Sequence, residues 1–202
     1  MRWCGSGSIW EISAAKAGLK NIFVTNGYIT PEALDLIAPF LDAANIDLKG
    51  YTEEFYGRVV GARLGEVLDC IRDYRRRGIW IEITTLVIPG ENDSDEQLDG
   101  IARFVASDLG TDVPWHISRF FPQYRMTDHE PTPLSSLSHA VGAGRRNGLK
   151  YLYTGNHAGG FENTDCPGCG TALIRRSGYQ VLECRLDQGA CNSCGTVIAG
   201  IW

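Results

Sequence analysis

Two short cysteine turns stand near the end of the sequence, Cys166-Pro167-Gly168-Cys169-Gly170 and Cys191-Asn192-Ser193-Cys194-Gly195. In each, a Cys-x-x-Cys turn followed by glycine lets two thiolates face one point, and two such knuckles complete a tetrahedron around a single ion. Zinc is the default occupant and iron in a rubredoxin-like site is its rival, because thiolates alone do not choose between them. Four protein ligands leave no open coordination position, so the expected role is structural: the chelated metal folds the residues after Asp165. Cys184 lies in the spacer between the knuckles and is expected to be a bystander. Paired Cys-x-x-Cys spacings among seven cysteines read as metal ligation and not as disulfides.

A second set of chemically capable residues lies upstream, each group following a short apolar run rich in β-branched residues. These are Thr25-Asn26-Gly27, Asp47-Leu48-Lys49-Gly50, Pro89-Gly90-Glu91-Asn92-Asp93, His116-Ile117-Ser118-Arg119 and Thr154-Gly155-Asn156-His157. In a parallel α/β fold, ligands bind where loops converge at the carboxyl ends of strands. Strand side chains alternate faces, so Asn45, Asp47 and Lys49 share one face while Ile46 and Leu48 take the other. Glu82 with Thr84, and His116 with Ser118, repeat the pattern. A filled barrel would place Val, Ile and Leu there. The alternation therefore implies an open interior lined for a polar ligand. Uncompensated buried charge is costly, so Asp47 and Lys49 must pair with each other or with something bound. Asp47, Glu82 and His116 could alternatively serve an oxygen-ligated divalent cation.

The elements that must position these residues follow from local pattern. Strands are predicted over 21–25, 45–49, 80–88, 115–120 and 150–154, alternating with helices as in repeated βα units. Thr30-Pro31 and Thr132-Pro133 each place a capping hydroxyl before a proline at the first helical position. Ser94 with Gln97 has capping-box spacing, followed by Leu98, Ile101, Ala102 and Val105 on one face. Leu64, Val67, Leu68, Ile71 and Tyr74 trace another apolar stripe closed by Gly78, with Cys70 expected as a small core residue. Arg75, Arg76 and Arg77 fall at the end of that helix, where cations complement the macrodipole. The Gly-, Asn- and Thr-rich stretch 155–165 reads as a linker. The expected division is a partial (β/α) barrel over 1–156 and a four-cysteine metal ribbon over 157–202.

A net charge of −5 leaves no basic footprint, so nucleic acid and anionic lipid are not expected partners. No apolar run approaches the roughly 20 residues that span a bilayer, and the opening Met1-Arg2-Trp3-Cys4-Gly5-Ser6 lacks the apolar stretch of a secretory signal. The expected location is the cytoplasm.

Four segments together resemble the AmmeMemoRadiSam branch of the radical S-adenosylmethionine enzymes, kin of the activating enzyme of pyruvate formate-lyase. They are 21–28 (Asn-Ile-Phe-Val-Thr-Asn-Gly-Tyr), 45–50 (Asn-Ile-Asp-Leu-Lys-Gly), 82–93, which runs from Glu82 through Pro89-Gly90 to Asp93, and 114–120 (Pro-Trp-His-Ile-Ser-Arg-Phe). The resemblance implies a partial (β/α) barrel in which a [4Fe-4S] cluster reductively cleaves S-adenosylmethionine to a 5′-deoxyadenosyl radical. It also implies that Thr25, Asn26, Asp47, Lys49 and His116 line the S-adenosylmethionine pocket. Val24 departs from the activases, which carry an acidic residue before the threonine. A larger departure concerns the cluster, which the superfamily holds with Cys-x-x-x-Cys-x-x-Cys. That motif is not in this sequence, where Cys4 stands alone and the next cysteine is Cys70. The expectation is a carboxyl-terminal part of a longer radical enzyme, lacking its first strands and inactive by itself, with an unknown substrate that could be a protein. Without those strands, 21–25 would form an uncovered apolar edge. The alternative is a non-enzymatic protein-interaction module built around a structural zinc ribbon, with Arg175 and Arg176 as its surface cations.

Overall fold

The computed structural model describes residue 14 and residues 16–157, 161–178 and 180–202; Cys4 lies outside them. The body is a mixed α/β layer built on a parallel sheet of five strands in sequential order: β1 (Ile22–Thr25), β2 (Ala43–Asp47), β3 (Trp80–Val87), β4 (Trp115–Arg119) and β5 (Leu152–Gly155). Helices α1 (Pro31–Ile37), α2 (Leu64–Arg76), α3 (Asp95–Phe104) and α4 (Leu134–Arg146) fall between them. All five strands lie where they are predicted, displaced by at most two residues at their ends.

Helix starts and stops follow from their residues. Thr30 caps α1 by accepting the Ala33 N–H at 3.3 Å, with Pro31 in the first turn. Ser94 accepts the Gln97 N–H at 3.3 Å, but the Gln97 side chain does not return to close a capping box. It bridges instead to Glu91 O and Tyr51 N–H, joining two strand-end loops. Gly78 ends α2 with φ of +77°, so that the N–H groups of Gly78 and Ile79 satisfy the carbonyls of Arg75 and Tyr74. The predicted stripes are the buried ones: Leu64, Val67, Ile71 and Tyr74 on α2, and Leu98, Ile101 and Ala102 on α3. Cys70 is half-buried and donates its thiol to Ile29 O at 2.8 Å. The three arginines at the end of α2 ion-pair with Asp112, Asp73 and Asp35.

Two expectations require correction. Thr132 does not cap α4. It is fully buried, donates to Val87 O at 2.6 Å and accepts the Phe120 N–H at 2.8 Å, and Pro133 takes the cap position. Its hydroxyl closes the carboxyl end of the sheet, where an unmet carbonyl would cost more than an uncapped helix N–H in water. The stretch read as a linker is also partly ordered pairing. Gly155 belongs to β5, Thr154 bonds Phe161 across it, and Thr164–Asp165 forms β6.

The ribbon consists of an antiparallel sheet, β6 (Thr164–Asp165), β7 (Ala172–Ser177) and β8 (Gln180–Cys184), and a short pair, β9 (Leu186–Asp187) and β10 (Ala190–Cys191). Its own small core gathers Leu173, Ile174, Cys166, Cys191 and Ile198 around Tyr151, which comes from the body. At the opposite side, β1 has no second neighbour among the described residues, and Val24 is 83% exposed. Among the described residues no helix is long and apolar enough to cross a membrane.

Asn92 is fully buried and spends its whole side chain on the backbone. It accepts the Ile88 N–H at 2.6 Å and donates to Lys49 O and Leu86 O at 2.6 and 2.8 Å, tying the end of β3 to the loop after β2. Asn92→Ala strands three buried backbone groups and is expected to lower the unfolding free energy by about 3 kcal/mol. Urea denaturation of the variant checks this; an unchanged midpoint would show that water replaces the amide.

Candidate metal centre and sheet-face cleft

The ribbon's two knuckles are conformational copies. In each, the glycine after the second cysteine takes a left-handed φ, +74° at Gly170 and +75° at Gly195. The N–H of that glycine bonds the first cysteine's carbonyl, at 2.9 and 2.8 Å. The N–H groups of Gly168 and Ser193 each point at the first sulfur of their knuckle at 3.4 Å. Thr171 and Thr196 place hydroxyls 3.2 Å from the second sulfur, Cys169 and Cys194. The sequence carries this as a repeated Cys-x-x-Cys-Gly-Thr, whose threonines the spacing argument did not single out.

All four sulfurs lie within 4.8 Å of one another, with Cys166–Cys194 at 3.6 Å and Cys169–Cys191 at 3.8 Å. A tetrahedral ion with metal–sulfur bonds of about 2.3 Å needs sulfurs about 3.8 Å apart, so the donor set fits one thiophilic ion. Disulfides, with sulfurs at about 2.05 Å, are not what this arrangement holds. The Thr171 hydroxyl and N–H hold the Cys169 thiol down at about 6, so it is a thiolate at neutral pH. Burial pushes Cys166 up, but the N–H donors of Cys169 and Gly168 outweigh it and the thiol sits below its ordinary value. Cys194 is raised, since the neighbouring sulfurs and burial overcome the pull of the Thr196 hydroxyl. Cys184 is exposed and outside the cluster.

A cleft of about 1300 Å³ separates the ribbon from the sheet face that carries no helices among the described residues. That face presents the predicted polar alternation. Asn45 and Thr84 are bonded at 2.7 Å across β2 and β3. Glu82 meets His116 Nε2 at 2.6 Å and also accepts the Trp80 indole N–H at 3.2 Å. Burial pushes the Glu82 carboxyl up, but the His116 bond and charge, with the Trp80 bond and the Arg176 charge, hold it below its ordinary value. Tyr153 stacks on His116 with ring centres 5.1 Å apart, and burial raises its phenol.

The residues implicated in S-adenosylmethionine binding separate into two places. Asn26, Asp47 and Lys49 line a recess of about 150 Å³ at the carboxyl ends of β1 and β2, together with Tyr28 and Tyr56. Asp47 and Lys49, both part-exposed, pair with each other at 2.9 Å, one of the two outcomes expected for them. Tyr56, pushed up to about 12 by burial, accepts the Lys49 N–H at 3.1 Å. Thr25 does not line the recess; its hydroxyl accepts the Gly27 N–H at 3.2 Å and shapes the turn that presents Asn26. His116 opens onto the larger cleft. Asp47, Glu82 and His116 do not assemble into a cation site: among the described residues, the four cysteines are the group of His, Cys, Asp and Glu donors close enough to hold one ion.

Metal retention should follow the Cys169 thiolate. A lowered thiol pKa keeps the ligand deprotonated to lower pH, so affinity is present above it and lost as pH falls through it. Thr171→Val removes the main cause of the lowering and is expected to raise the pH of half-release by about half a unit or more. Zinc release to a chromophoric chelator during acid titration measures it; coincident curves would discount the hydroxyl.

Residues 6–102 match the model of the Radical SAM superfamily. An uncharacterized protein of Methanocaldococcus jannaschii is 40% identical over 193 residues, which are 93% of this chain and 56% of that protein. The chain thus spans about half the length of the curated relative it matches. Among solved structures, a domain of pyruvate-formate lyase-activating enzyme from Bacteroides vulgatus superposes with a TM-score of 0.61 at 16% identity, covering 76% of this chain and 96% of that one. A radical SAM methyltransferase from Sphaerobacter thermophilus gives 0.57 at 16% identity, covering 72% and 43%. SuiB of Streptococcus suis, solved bound to S-adenosylmethionine, gives 0.57 at 11% identity, covering 75% and 35%. The match to the Radical SAM superfamily model takes in just under half of the chain, and the solved structures share the fold of its sequential parallel sheet.

Proposed function

We propose that the α/β body supplies the S-adenosylmethionine site of a radical enzyme of the AmmeMemoRadiSam branch, and that the ribbon holds a structural zinc ion. The observation that carries this reading is the Asp47–Lys49 pair at the carboxyl end of β2, facing the recess beside Asn26 and Tyr28. S-adenosylmethionine presents an α-ammonium, an α-carboxylate and ribose hydroxyls. Asp47 can accept from the ammonium or ribose, and Lys49 can donate to the carboxylate. The recess has room for the amino-acid end, and the nucleoside would lie along the sheet over Thr84 towards His116.

In the superfamily a [4Fe-4S] cluster supplies the electron for cleavage. The described cysteines do not fit such a cluster at this site. Cys70 is engaged with Ile29 O inside α2, Cys184 is on the ribbon, and the remaining four converge on a single-ion volume. The radical step therefore belongs, in this reading, to a protein that carries further cysteines, of the length of the Methanocaldococcus relative.

S-adenosylmethionine should bind the present chain without any cluster, and Lys49→Ala should weaken that binding about tenfold or more, the scale of a charge-assisted hydrogen bond. Equilibrium dialysis with radiolabelled ligand decides; no saturable binding, or equal affinity in the variant, would remove the assignment. After anaerobic reconstitution with iron, sulfide and dithionite, 5′-deoxyadenosine is expected from a protein of the relative's full length and not from these 202 residues.

A further inference from the structure

The cleft between ribbon and sheet is distinct from the recess at Asp47 and Lys49, and it contains a cation with no carboxylate in ion-pair contact among the described residues. Arg176 is on β7, where neighbouring side chains point to opposite faces. Arg175 lies on one side and approaches Glu183 at 3.5 Å, whereas Arg176 lines the cleft. Its Nη1 donates to Glu162 O and to the Thr164 hydroxyl at 3.0 and 2.9 Å, and its guanidinium stands 5.7 Å over the Tyr153 ring. No carboxylate among the described residues lies within ion-pair distance of it, unlike Arg72, Arg75, Arg77 and Arg103, each of which faces an aspartate.

The carboxylates bordering the cleft have partners of their own. Glu82 is engaged by His116 and Trp80, Asp42 by Lys20 and the Asn21 N–H, and Glu162 accepts the Gly178 N–H at 3.0 Å. Arg176 is thus a half-buried guanidinium, backed by an aromatic face, that feels the Glu82 charge at a distance but makes no ion-pair contact among the described residues. A planar guanidinium in that setting is suited to a carboxylate, phosphate or sulfonate oxygen pair. Away from Arg176 the cleft wall turns apolar and aromatic, formed by Trp80, Tyr151, Ile174, Ile198 and Trp202.

We infer that this cleft is a binding site for a small organic anion, whose acidic head is held by Arg176 over Tyr153 and whose apolar, ring-bearing body lies against Trp80, Tyr151 and Trp202. The inference rests on the proposed radical enzyme only in making this anion its substrate class; the binding itself requires neither cluster nor S-adenosylmethionine. The ribbon then does more than hold a metal: it provides the wall that selects for negative charge.

The test uses the full zinc-loaded chain and two fluorescent probes of similar ring system, anilinonaphthalene sulfonate, which is an anion, and phenylnaphthylamine, which is not. Arg176→Met keeps the apolar stem and removes the charge. Its dissociation constant for the sulfonate should rise about tenfold, the scale of a lost charge-assisted bond, with that for the neutral probe within about twofold of wild type. Arg176→Lys, which restores a cation, should recover most of the sulfonate affinity. Zinc content, measured on each variant, should stay at the wild-type level. Unchanged sulfonate binding in Arg176→Met would overturn the inference. Equal loss of both probes would overturn it too, since it would mean that Arg176 merely fastens the ribbon to Tyr153. Because no assay step involves S-adenosylmethionine, failure here is separable from failure at Lys49.

Discussion

The sequential parallel order of the five strands is the constraint from which the rest of this structure follows. A right-handed crossover between neighbouring parallel strands sends every connecting helix to the same side of the sheet. Such a sheet has one face packed by helices and one that is not. Ile46, Ile81, Ile83, Trp115 and Ile117 fill the packed face and are fully buried. The intervening residues Asn45, Glu82, Thr84 and His116 occupy the other, where they bond one another across strands. An apolar set on that face would be exposed hydrophobic surface; a polar set without cross-strand partners would be desolvated at a cost once covered.

What covers part of that face is the ribbon, and β5 is the joint. Alternate residues of this strand region serve two masters, with Tyr151 completing the ribbon's own core and its hydroxyl oxygen accepting the Ala199 N–H at 3.4 Å. Tyr153 bonds Thr164 at 2.8 Å on the ribbon side while stacking on His116. The ribbon core is too small to stand on apolar burial alone, so under the proposed reading its order depends on an ion held by the four cysteines. Loss of the metal would therefore be felt at Arg176, Tyr153 and the cleft wall, through the packing of Cys166 and Cys191 against Leu173 and Ile174.

Much of this was legible in the residues. The strands, the apolar stripes of α2 and α3, and the four ligands were set by local alternation, helical period and Cys-x-x-Cys spacing, all of which are short-range signals. Charge cost on a shared strand face left two outcomes for Asp47 and Lys49, pairing with each other or with something bound, and the structure shows the first. Other features depend on which segments meet in space. Thr132 has the residue type and place of a helix cap, yet the fold presents it with Val87 O at the end of β3 and the Phe120 N–H just after β4, and those buried groups win. The roles of Asn92 and Arg176 are likewise long-range: one bridges loops after different strands, and the other is set by its place over Tyr153 with no carboxylate of the described residues in ion-pair contact, which no window of sequence discloses. His116 was grouped with the Asp47 set through resemblance, but the register places it two strands away, beyond Thr84.

That register links the two candidate binding places. Asp47, Thr84, His116 and Tyr153 stand opposite one another in a single row across β2 to β5. At a strand spacing of about 4.8 Å the row is about 14 Å long. Lys49 is at one end beside the recess, and Arg176 lies over Tyr153 at the other. A molecule held in the recess and an anion held under the ribbon would approach each other above Thr84 and His116, whose side chains bond Asn45 and Glu82 and over which no helix of the described residues lies. The same row that separates the two charged anchors therefore fixes how close their ligands come, and a substitution that changed strand register would shift both at once.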